Sequence, residues 1–461
     1  MTLQLDESAF RTANPPFDAE GRYRPVSFWH ETADMTPGQP LEGDTTCDIA
    51  VVGGGFTGLS VAHALKRLAP ERDVVVLERA VAGHGASGRN GGFAMPLLGW
   101  DLLYTARKLG EAAAGAVYRV MYEAVAHVKG FTEEYGIDCD LEATGYVLLN
   151  TCAGRERRAR EEFELAHRLG FDHVWLDKRE LQAYIRGNAF RSGVFDPHPC
   201  VLNPAKLSRS LKRAAENIGV RVFEQTPLLA LTEGPRIALR TPKGGVRAGR
   251  VVLAVNGYGG SLGFMPARIL PVHTYIVLTE PLTDAQLSGI GWGAKRASLE
   301  TARNFIHYFR LTADNRIAFG GEDAQLYWKG RYFDGDKRVF EALKARFRAY
   351  FPSLAGVRFT HEWGGVLGVT LDMFPSFGVR GAHGNIYYAG GYSGHGVALA
   401  NYAGVLLAPH ILADIGGGRA DTAPPPFWNR LPPYLFQQPL RYAGMQVYRA
   451  ALRAQDVVQR A

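Results

Sequence analysis

The sequence predicts an α/β fold in which a Rossmann-type nucleotide-binding domain is joined to an α+β second domain built on an antiparallel sheet. A β-α-β pattern with a glycine-rich turn in residues 48–77 predicts the first domain. Alternating strands in residues 273–319, followed by an amphipathic helix, predict the second. The length of 461 residues exceeds what one hydrophobic core usually serves, which also favours two packed regions.

The β-α-β pattern gives the strongest local signal. Asp48–Val52 is typical of a short apolar strand, Phe56–Leu68 of a helix and Asp73–Leu77 of a second buried strand. The turn before the helix, Gly53-Gly54-Gly55-Phe56-Thr57-Gly58, fits G-x-G-x-x-G, and Glu78 ends the second strand, where a carboxylate can bind ribose hydroxyls. Together these features predict a dinucleotide site. The alternative is a glycine-rich structural turn.

Two later glycine clusters indicate FAD rather than NAD. Neither repeats the whole set of strand, G-x-G-x-x-G, helix and distal acid that a second dinucleotide would need. Gly83–Gly92 offers hydroxyl, guanidinium and amide donors that could wrap phosphates and ring, although a structural polar loop would have the same composition. Gly390–Gly396 precedes a predicted helix, whose N-terminal amides would stabilise negative charge on a reduced flavin.

These patterns also divide the chain. The predicted FAD-binding domain is discontinuous and takes residues 45–100, 195–265 and 355–415. The predicted substrate domain takes residues 101–194 and 266–354. Residues 1–44 are expected to form an extended N-terminal arm, and residues 416–461 a proline-rich tail that ends in a helix.

Three motifs resemble those of the D-amino-acid-oxidase-like flavoenzyme superfamily: Val51–Gly58, Gly85–Gly92 and Tyr388–Val397. Within it, the chain is most similar to amine oxidases of the gamma-glutamylputrescine and aminophosphonate oxidase type, over about residues 25–460. The resemblance implies oxidation of a C–N bond by hydride transfer to FAD, giving an imine that water hydrolyses. O2, with H2O2 as product, or another acceptor would reoxidise the cofactor.

The resemblance also has departures. Arg316–Phe319 lacks the lysine that activates oxygen in sarcosine oxidases, so rapid use of O2 is not implied. His84 does not match the attachment position of flavinylated relatives, and no cysteine lies near the C-terminal glycine motif. Noncovalent FAD is therefore expected.

The motifs and the resemblance predict one set of cofactor-binding residues. They are Gly53, Gly55, Phe56, Thr57, Gly58, Glu78, Arg79, Ser87, Arg89, Asn90, Gly91, Gly92, Gly391, Tyr392, Ser393, Gly394, His395 and Gly396.

Three residues are candidates for contact with the substrate. In a strand over Asn304–Arg310, alternate side chains face opposite sides, so Tyr308 shares a face with Asn304, and the resemblance to sarcosine oxidase places Tyr308 near the substrate. Glu322 could hold an ammonium group, or be a surface carboxylate. His273 could act as a base, or be a hydrogen-bonded structural histidine. Oxidation of a neutral amine needs no dedicated base, so none of these roles is required.

Composition excludes several other classes. The net charge of +7 is not concentrated in one tail, so a nucleic-acid partner is not expected. Four scattered cysteines without a Cys-x-x-Cys pair indicate neither disulfides nor a metal site. The N-terminus lacks the pattern of a signal peptide, and no run of about 18 apolar residues predicts a transmembrane segment. A cytoplasmic enzyme is expected, whose partners are a small-molecule amine and an electron acceptor.

The tail supports an alternative function. Met445, Tyr448 and Leu452 form an apolar stripe beside three arginines, as in a helix that lies on a membrane surface. Such peripheral contact would suit a flavin dehydrogenase that passes electrons to a quinone. The other interpretation is a helix docked on its own protein. A flavin-binding protein without turnover is a third possibility.

Overall fold

The computed structural model describes residues 1–11 and 13–458, and its strands form two large sheets and one short pair. The strands, in chain order, are β1 (Thr2–Gln4), β2 (Thr45–Val52), β3 (Val74–Leu77), β4 (Phe93–Ala94), β5 (Tyr146–Asn150), β6 (Val174–Leu176), β7 (Ser192–Asp196), β8 (Cys200–Val201), β9 (Arg221–Phe223), β10 (Ala230–Thr232), β11 (Ile237–Thr241), β12 (Gly244–Leu253), β13 (Leu270–Thr279), β14 (Ser298–Thr301), β15 (His307–Leu311), β16 (Ile317–Gln325), β17 (Phe359–Val369), β18 (Ser376–Arg380) and β19 (Ile386–Gly390). The helices are α1 (Phe28–Glu31), α2 (Phe56–Leu68), α3 (Leu102–Leu109), α4 (Glu111–Glu134), α5 (Ala153–Arg168), α6 (Lys178–Leu181), α7 (Pro204–Asn217), α8 (Asp284–Gly289), α9 (Lys337–Tyr350), α10 (Gly396–Ile415) and α11 (Leu440–Val458).

The first sheet has a parallel centre in the order β19-β12-β2-β3-β9. Both faces of β2 are buried: Ile49 and Val51 pack in the core beneath α2 and α10, and Ala50 and Val52 pack in the core on the other side. A parallel strand covered on both faces is apolar throughout, which is why this segment could be predicted from sequence. The helix α2 has the predicted bounds, Phe56–Leu68.

The second sheet has the order β17-β13-β16-β15-β14-β5-β7-β6, and all its pairs are antiparallel except β14 with β5. One face packs under α9 through a core that includes Phe309, Phe319 and Phe347. The opposite face carries Ile276 and Ala318, which pack against Val81 of the first domain in another cluster. The structure thus confirms the predicted fold class.

The predicted boundary at residue 355 is wrong for β17. This strand pairs with β13 over Leu270–Thr279, so it belongs to the second sheet rather than to the FAD-binding domain. Pairing between segments about 90 residues apart leaves no local signal in either one. The N-terminal arm is also more integrated than predicted, because β1 pairs with β10 and Trp29 of α1 is only 1% exposed.

The helix α10 is a core helix. Among the residues that the structure describes, it is the one helix long and apolar enough to cross a membrane by length and composition. However, it packs against α2 and α4, and half of its apolar stretch is buried inside the protein. Its apolar character follows from this position in the core.

The helix α11 docks on the second sheet. Met445 packs beside Leu270, Val272 and Leu326, and Arg449 binds the Asp323 carboxylate at 2.7 Å. The predicted apolar stripe is thus partly used for docking on the protein itself.

Asp456 of α11 fixes the loop before β15. Its carboxylate is 5% exposed and accepts hydrogen bonds from the backbone amides of Asn304 at 3.0 Å and Phe305 at 3.1 Å. It also pairs with Arg155 at 2.9 Å. Because the amides of Asn304 and Phe305 donate to this side chain and not to a neighbouring strand, β15 starts at His307. The prediction that Asn304 shares a strand face with Tyr308 is therefore wrong.

Candidate active site

The turn between β2 and α2 presents bare backbone. Gly53 has a φ of 111°, and a Cβ there would lie 2.6 Å from the carbonyl oxygen of Ala254. A Cβ on Gly58 would overlap the carbonyl oxygen of Gly53, so α2 can pack this closely on the strand only with glycine at 58. Gly55 is the N-cap of α2 and provides no side-chain cap, so the first-turn amides after that of Phe56 are available to an anion.

Glu78 and Ser87 close this turn. The Glu78 carboxylate accepts hydrogen bonds from the amides of Gly54 at 2.6 Å and Ala80 at 2.8 Å, and burial raises its pKa. The Ser87 hydroxyl accepts one from the amide of Phe56 at 2.9 Å. Polar side chains from two predicted motifs therefore meet at one point.

The N-terminus of α10 faces the same space. Its N-cap residue, His395, provides no side-chain cap either. The hydroxyls of Thr57 and Tyr392 are 2.7 Å apart and join α2 to the loop before α10. Two helix N-termini, each with the positive end of its dipole, thus converge.

A cavity lies between these elements. The predicted cofactor residues that line it are Gly53, Gly55, Phe56, Thr57, Glu78, Arg79, Ser87, Asn90, Tyr392, Gly394 and Gly396. They come from all three glycine motifs, which the fold brings together around one space.

Other predicted cofactor residues do not line this cavity: Gly58, Arg89, Gly91, Gly92, Gly391, Ser393 and His395. Arg89 is the clearest correction. Its guanidinium pairs with Asp334 at 3.0 Å and donates to the carbonyl oxygen of His84 at 2.7 Å. Arg89 thus connects the loop over Gly83–Gly92, hereafter the glycine loop, to the second domain. A Cβ on Gly91 would crowd the Tyr308 ring, and a Cβ on Gly92 would overlap the carbonyl oxygen of Leu202.

Several residues around the cavity were not predicted. Phe10 of the arm lines it and lies 3.8 Å beneath the Arg79 guanidinium, and nothing in the local sequence indicates this. Asn256 lines it after β12, and its side-chain oxygen accepts from the amide of Gly391 at 3.0 Å. The Asn-Gly-Tyr-Gly-Gly run after a buried strand was a signal that could have identified Asn256.

The donor set of this cavity fits FAD. Uncapped amides at the start of α2 suit a pyrophosphate, and the Glu78 carboxylate at the end of the next strand suits ribose hydroxyls. The glycine positions there leave no space for a side chain, which is what close approach of a ligand to backbone requires. The N-terminus of α10 also lines the cavity, through Gly394, Gly396 and Val397.

Tyr308 lies beside the cavity wall. Its ring covers Gly320 of β16 and comes within 3.0 Å of the position that a Cβ on Gly91 would take. It meets the Phe93 ring edge-on at 5.6 Å. Asn90, which precedes Gly91, lines the cavity. Tyr308 therefore lies on the side of the sheet that contacts the FAD-binding domain, and its predicted place near the substrate stays a prediction.

Glu322 faces away from this side, contrary to the prediction. Its carboxylate accepts hydrogen bonds from His307 at 2.7 Å and Arg346 at 3.3 Å, on the α9 face of the sheet. Gly321 and Glu322 have φ values of 108° and 64°, which break the strand alternation and turn the side chain over. Although burial opposes it, these two partners hold the pKa of Glu322 at about 2.

His273 is a structural residue. It is fully buried, and its Nε2 accepts a hydrogen bond from the amide of Phe333 at 3.1 Å. Burial lowers its pKa to about 4, so the ring is neutral at pH 7. It does not line the cavity, and the predicted role as a base is not supported.

Comparison with known proteins agrees with this geometry. Residues 48–409 match the model of the family described as FAD dependent oxidoreductase. The chain belongs to this FAD-dependent oxidoreductase family. The match confirms the predicted superfamily and cofactor, and identifies the protein as a flavin-dependent oxidoreductase.

Family members of known sequence cover most of the chain. A probable oxidoreductase, OrdL, of Haemophilus influenzae is 32% identical over 392 residues, which are 81% of this chain and 85% of that protein. Gamma-glutamylputrescine oxidoreductase of Escherichia coli is 31% identical over 382 residues, 82% of this chain and 86% of that protein.

Solved structures show the same fold in the family. Glycine oxidase from Geobacillus kaustophilus has a TM-score of 0.69 at 19% identity, over 83% of this chain and 98% of that one. L-proline dehydrogenase from P. horikoshii has a TM-score of 0.67 at 20% identity, over 83% of this chain and 96% of that one.

Proposed function

We propose that the protein oxidises the carbon–nitrogen bond of a small amine or amino acid. The observation that carries this proposal is the position of Tyr308, which joins the substrate-domain sheet to the glycine loop at the cavity wall. The similarity to gamma-glutamylputrescine oxidoreductase supports it. FAD, when bound, supplies the acceptor for a hydride from the carbon next to nitrogen, which leaves an imine for water to hydrolyse.

The residues of this chain have separate parts in that reaction. When FAD is bound, the first-turn amides of α2 would hold the pyrophosphate, Glu78 would hold the ribose, and the α10 N-terminus with Asn90 would hold the ring end. Tyr308 and Phe93 form an aromatic wall that excludes water from the reacting amine. O2, with H2O2 as product, or another acceptor takes the electrons.

Anaerobic mixing tests the proposal. The FAD-loaded protein is mixed with a panel of amines, amino acids and aminophosphonates while the yellow absorbance of the oxidised flavin is followed. Bleaching by one compound, with formation of the corresponding carbonyl product, is expected. A protein that retains FAD but is bleached by none of them would contradict the proposal.

A second candidate is a dehydrogenase at a membrane surface that passes electrons to a quinone. The observation in its favour is a run of exposed large apolar side chains in and before α11. They are Leu431, Tyr434, Phe436, Leu440, Val447 and Tyr448, of which Phe436 is 71% exposed. Sedimentation with phosphatidylglycerol vesicles, together with substrate-driven quinone reduction, supports this candidate. Rapid H2O2 production without vesicles supports the first.

A further inference from the structure

Glu300 is a buried carboxylate without a cationic partner. It lies on β14, is 9% exposed, and makes no ion pair with any residue that the structure describes. Taking a carboxylate out of water is costly unless a cation or several hydrogen bonds replace the solvent. Such a group therefore needs an explanation other than stability.

Strand register shows which way Glu300 faces. Glu300 lies opposite Tyr308 on β15, and Ser298, two residues earlier in β14, lies opposite Tyr146 on β5. Leu299, between them, packs in the core beneath α9. Because side chains alternate along a strand, Glu300 faces the other side, which it shares with Tyr308 and Tyr146.

This side of the sheet adjoins the flavin cavity. Tyr308 contacts the glycine loop at Gly91, directly after the cavity-lining Asn90. The Tyr146 hydroxyl is also buried and approaches Glu300 closely enough to affect its pKa. A buried carboxylate without a cationic partner and a buried hydroxyl thus lie on the side of the sheet that carries Tyr308, as expected where a ligand completes the contacts.

The buried arginines near this wall are already engaged. Arg89 pairs with Asp334, and Arg310 donates to the carbonyl oxygens of Leu202 at 2.6 Å and Leu311 at 2.9 Å. Arg89 is thereby committed to Asp334, and Arg310 to two backbone carbonyl oxygens through its Nε and Nη1. Glu300, by contrast, makes no ion pair with any described residue.

We propose that Glu300 binds the positively charged nitrogen of the incoming substrate, a cationic amine, and accepts its proton, which leaves the neutral amine for oxidation. The proposal rests on the proposed oxidation of a C–N bond and names the group that recognises the substrate. Glu322, the carboxylate predicted for this role, lies on the opposite face with two partners of its own.

Binding of an inert cation tests this inference separately from turnover. tert-Butylammonium carries the charge but has no hydrogen on the carbon next to nitrogen, so it cannot be oxidised. tert-Butanol has the same shape without the charge. Binding of each is measured by calorimetry at about pH 8, where an alkylammonium is still charged, to FAD-loaded wild type, Glu300→Gln and the matched control Glu322→Gln.

We expect the wild type and Glu322→Gln to bind tert-butylammonium equally, and Glu300→Gln to bind it about tenfold or more weakly, because a charge-assisted contact is lost. Binding of tert-butanol should be weak and the same in all three. Equal binding of the cation to Glu300→Gln and wild type would overturn the proposal. If Glu300→Gln does not fold, the wild type alone decides: no preference for the cation over the alcohol also overturns it.

The anaerobic assay keeps this result apart from the proposed function. Bleaching of both wild type and Glu300→Gln by the same amine, with unchanged apparent affinity, would leave the oxidase function standing and remove Glu300 from recognition. Binding of tert-butylammonium through Glu300 without bleaching by any amine would support Glu300 as the cation-binding group and contradict the oxidase function.

Discussion

Replacing Glu300 by glutamine should change how the stability of the protein depends on pH. Burial raises the pKa of Glu300 from 4.5 to about 7 in the folded state, an effect that the Tyr146 hydroxyl partly offsets. Well below pH 4.5 the Glu300 carboxyl is protonated in folded and unfolded chains alike, so its raised pKa does not lower the free energy of unfolding. As the pH rises from 4.5 to 7, the unfolded chain ionises first, and stability is lost until the folded pKa is passed.

The magnitude follows from the size of the shift. A pKa raised from 4.5 to about 7 corresponds to a loss of roughly 3 kcal/mol in the free energy of unfolding above pH 7, most of which accumulates between pH 5 and pH 8. Glutamine has the same shape and no charge, so Glu300→Gln should escape this loss. Its advantage in Tm over the wild type should grow by a few degrees between pH 5 and pH 8.

The titratable groups that face Glu300 do not confuse this comparison. Tyr146 and Tyr308 have pKa values that burial raises above 10. Glu162 of α5, which acts on Tyr146 and whose pKa burial raises to about 8, is present in both proteins. Thermal melting of the two FAD-loaded proteins across this pH range is the assay. A Tm difference that does not vary with pH would refute the reasoning, because Glu300 would then be solvated or paired.

Three other predictions concern the cavity and the tail. Gly55→Val should yield folded protein without flavin absorbance, because a Cβ there already lies 2.7 Å from the Ser87 hydroxyl, whereas Gly130→Ala, with nothing within 4 Å, should stay fully yellow; equal flavin content would contradict this. Tyr392→Phe removes a 2.7 Å hydrogen bond to α2 and should lower stability by about 1 kcal/mol and weaken FAD retention severalfold on dialysis. Asp456→Asn replaces one carboxylate oxygen by an NH2 group that cannot accept a hydrogen bond, so it loses one of the two backbone amide contacts as well as the charge. Limited proteolysis should therefore cut α11 faster, with an unchanged flavin spectrum.

Local features of the fold could be predicted from the sequence. Gly58 packs against the carbonyl oxygen of Gly53 within the turn, so the β2-turn-α2 unit is encoded within about 25 residues, although Gly53 is also required by its contact with Ala254 after β12. The same holds for Glu78, which reaches back only to Gly54. Residues like these meet partners that the local pattern already specifies.

The substrate side could not be predicted in the same way. Strand alternation would place Glu322 on the face of Tyr308, but the positive φ values of Gly321 and Glu322 reverse it, and no sequence pattern indicates such a bulge. Glu300 acquires its surroundings from β5 and β15, and Arg89 acquires Asp334 from a loop 245 positions away. Burial and pairing across a sheet are tertiary properties, so the choice between these carboxylates required the structure.

The contact between Asp456 and the loop before β15 has a consequence for the order in which the protein matures. Asp456 is translated 152 positions after Asn304, whose backbone amide donates a hydrogen bond to its carboxylate. Since chains fold from the N-terminus as they emerge from the ribosome, the nucleotide domain and both sheets can assemble while this loop still lacks its anchor. The loop before β15 is therefore expected to become rigid only after residue 456 has emerged, later than the elements that line the cavity.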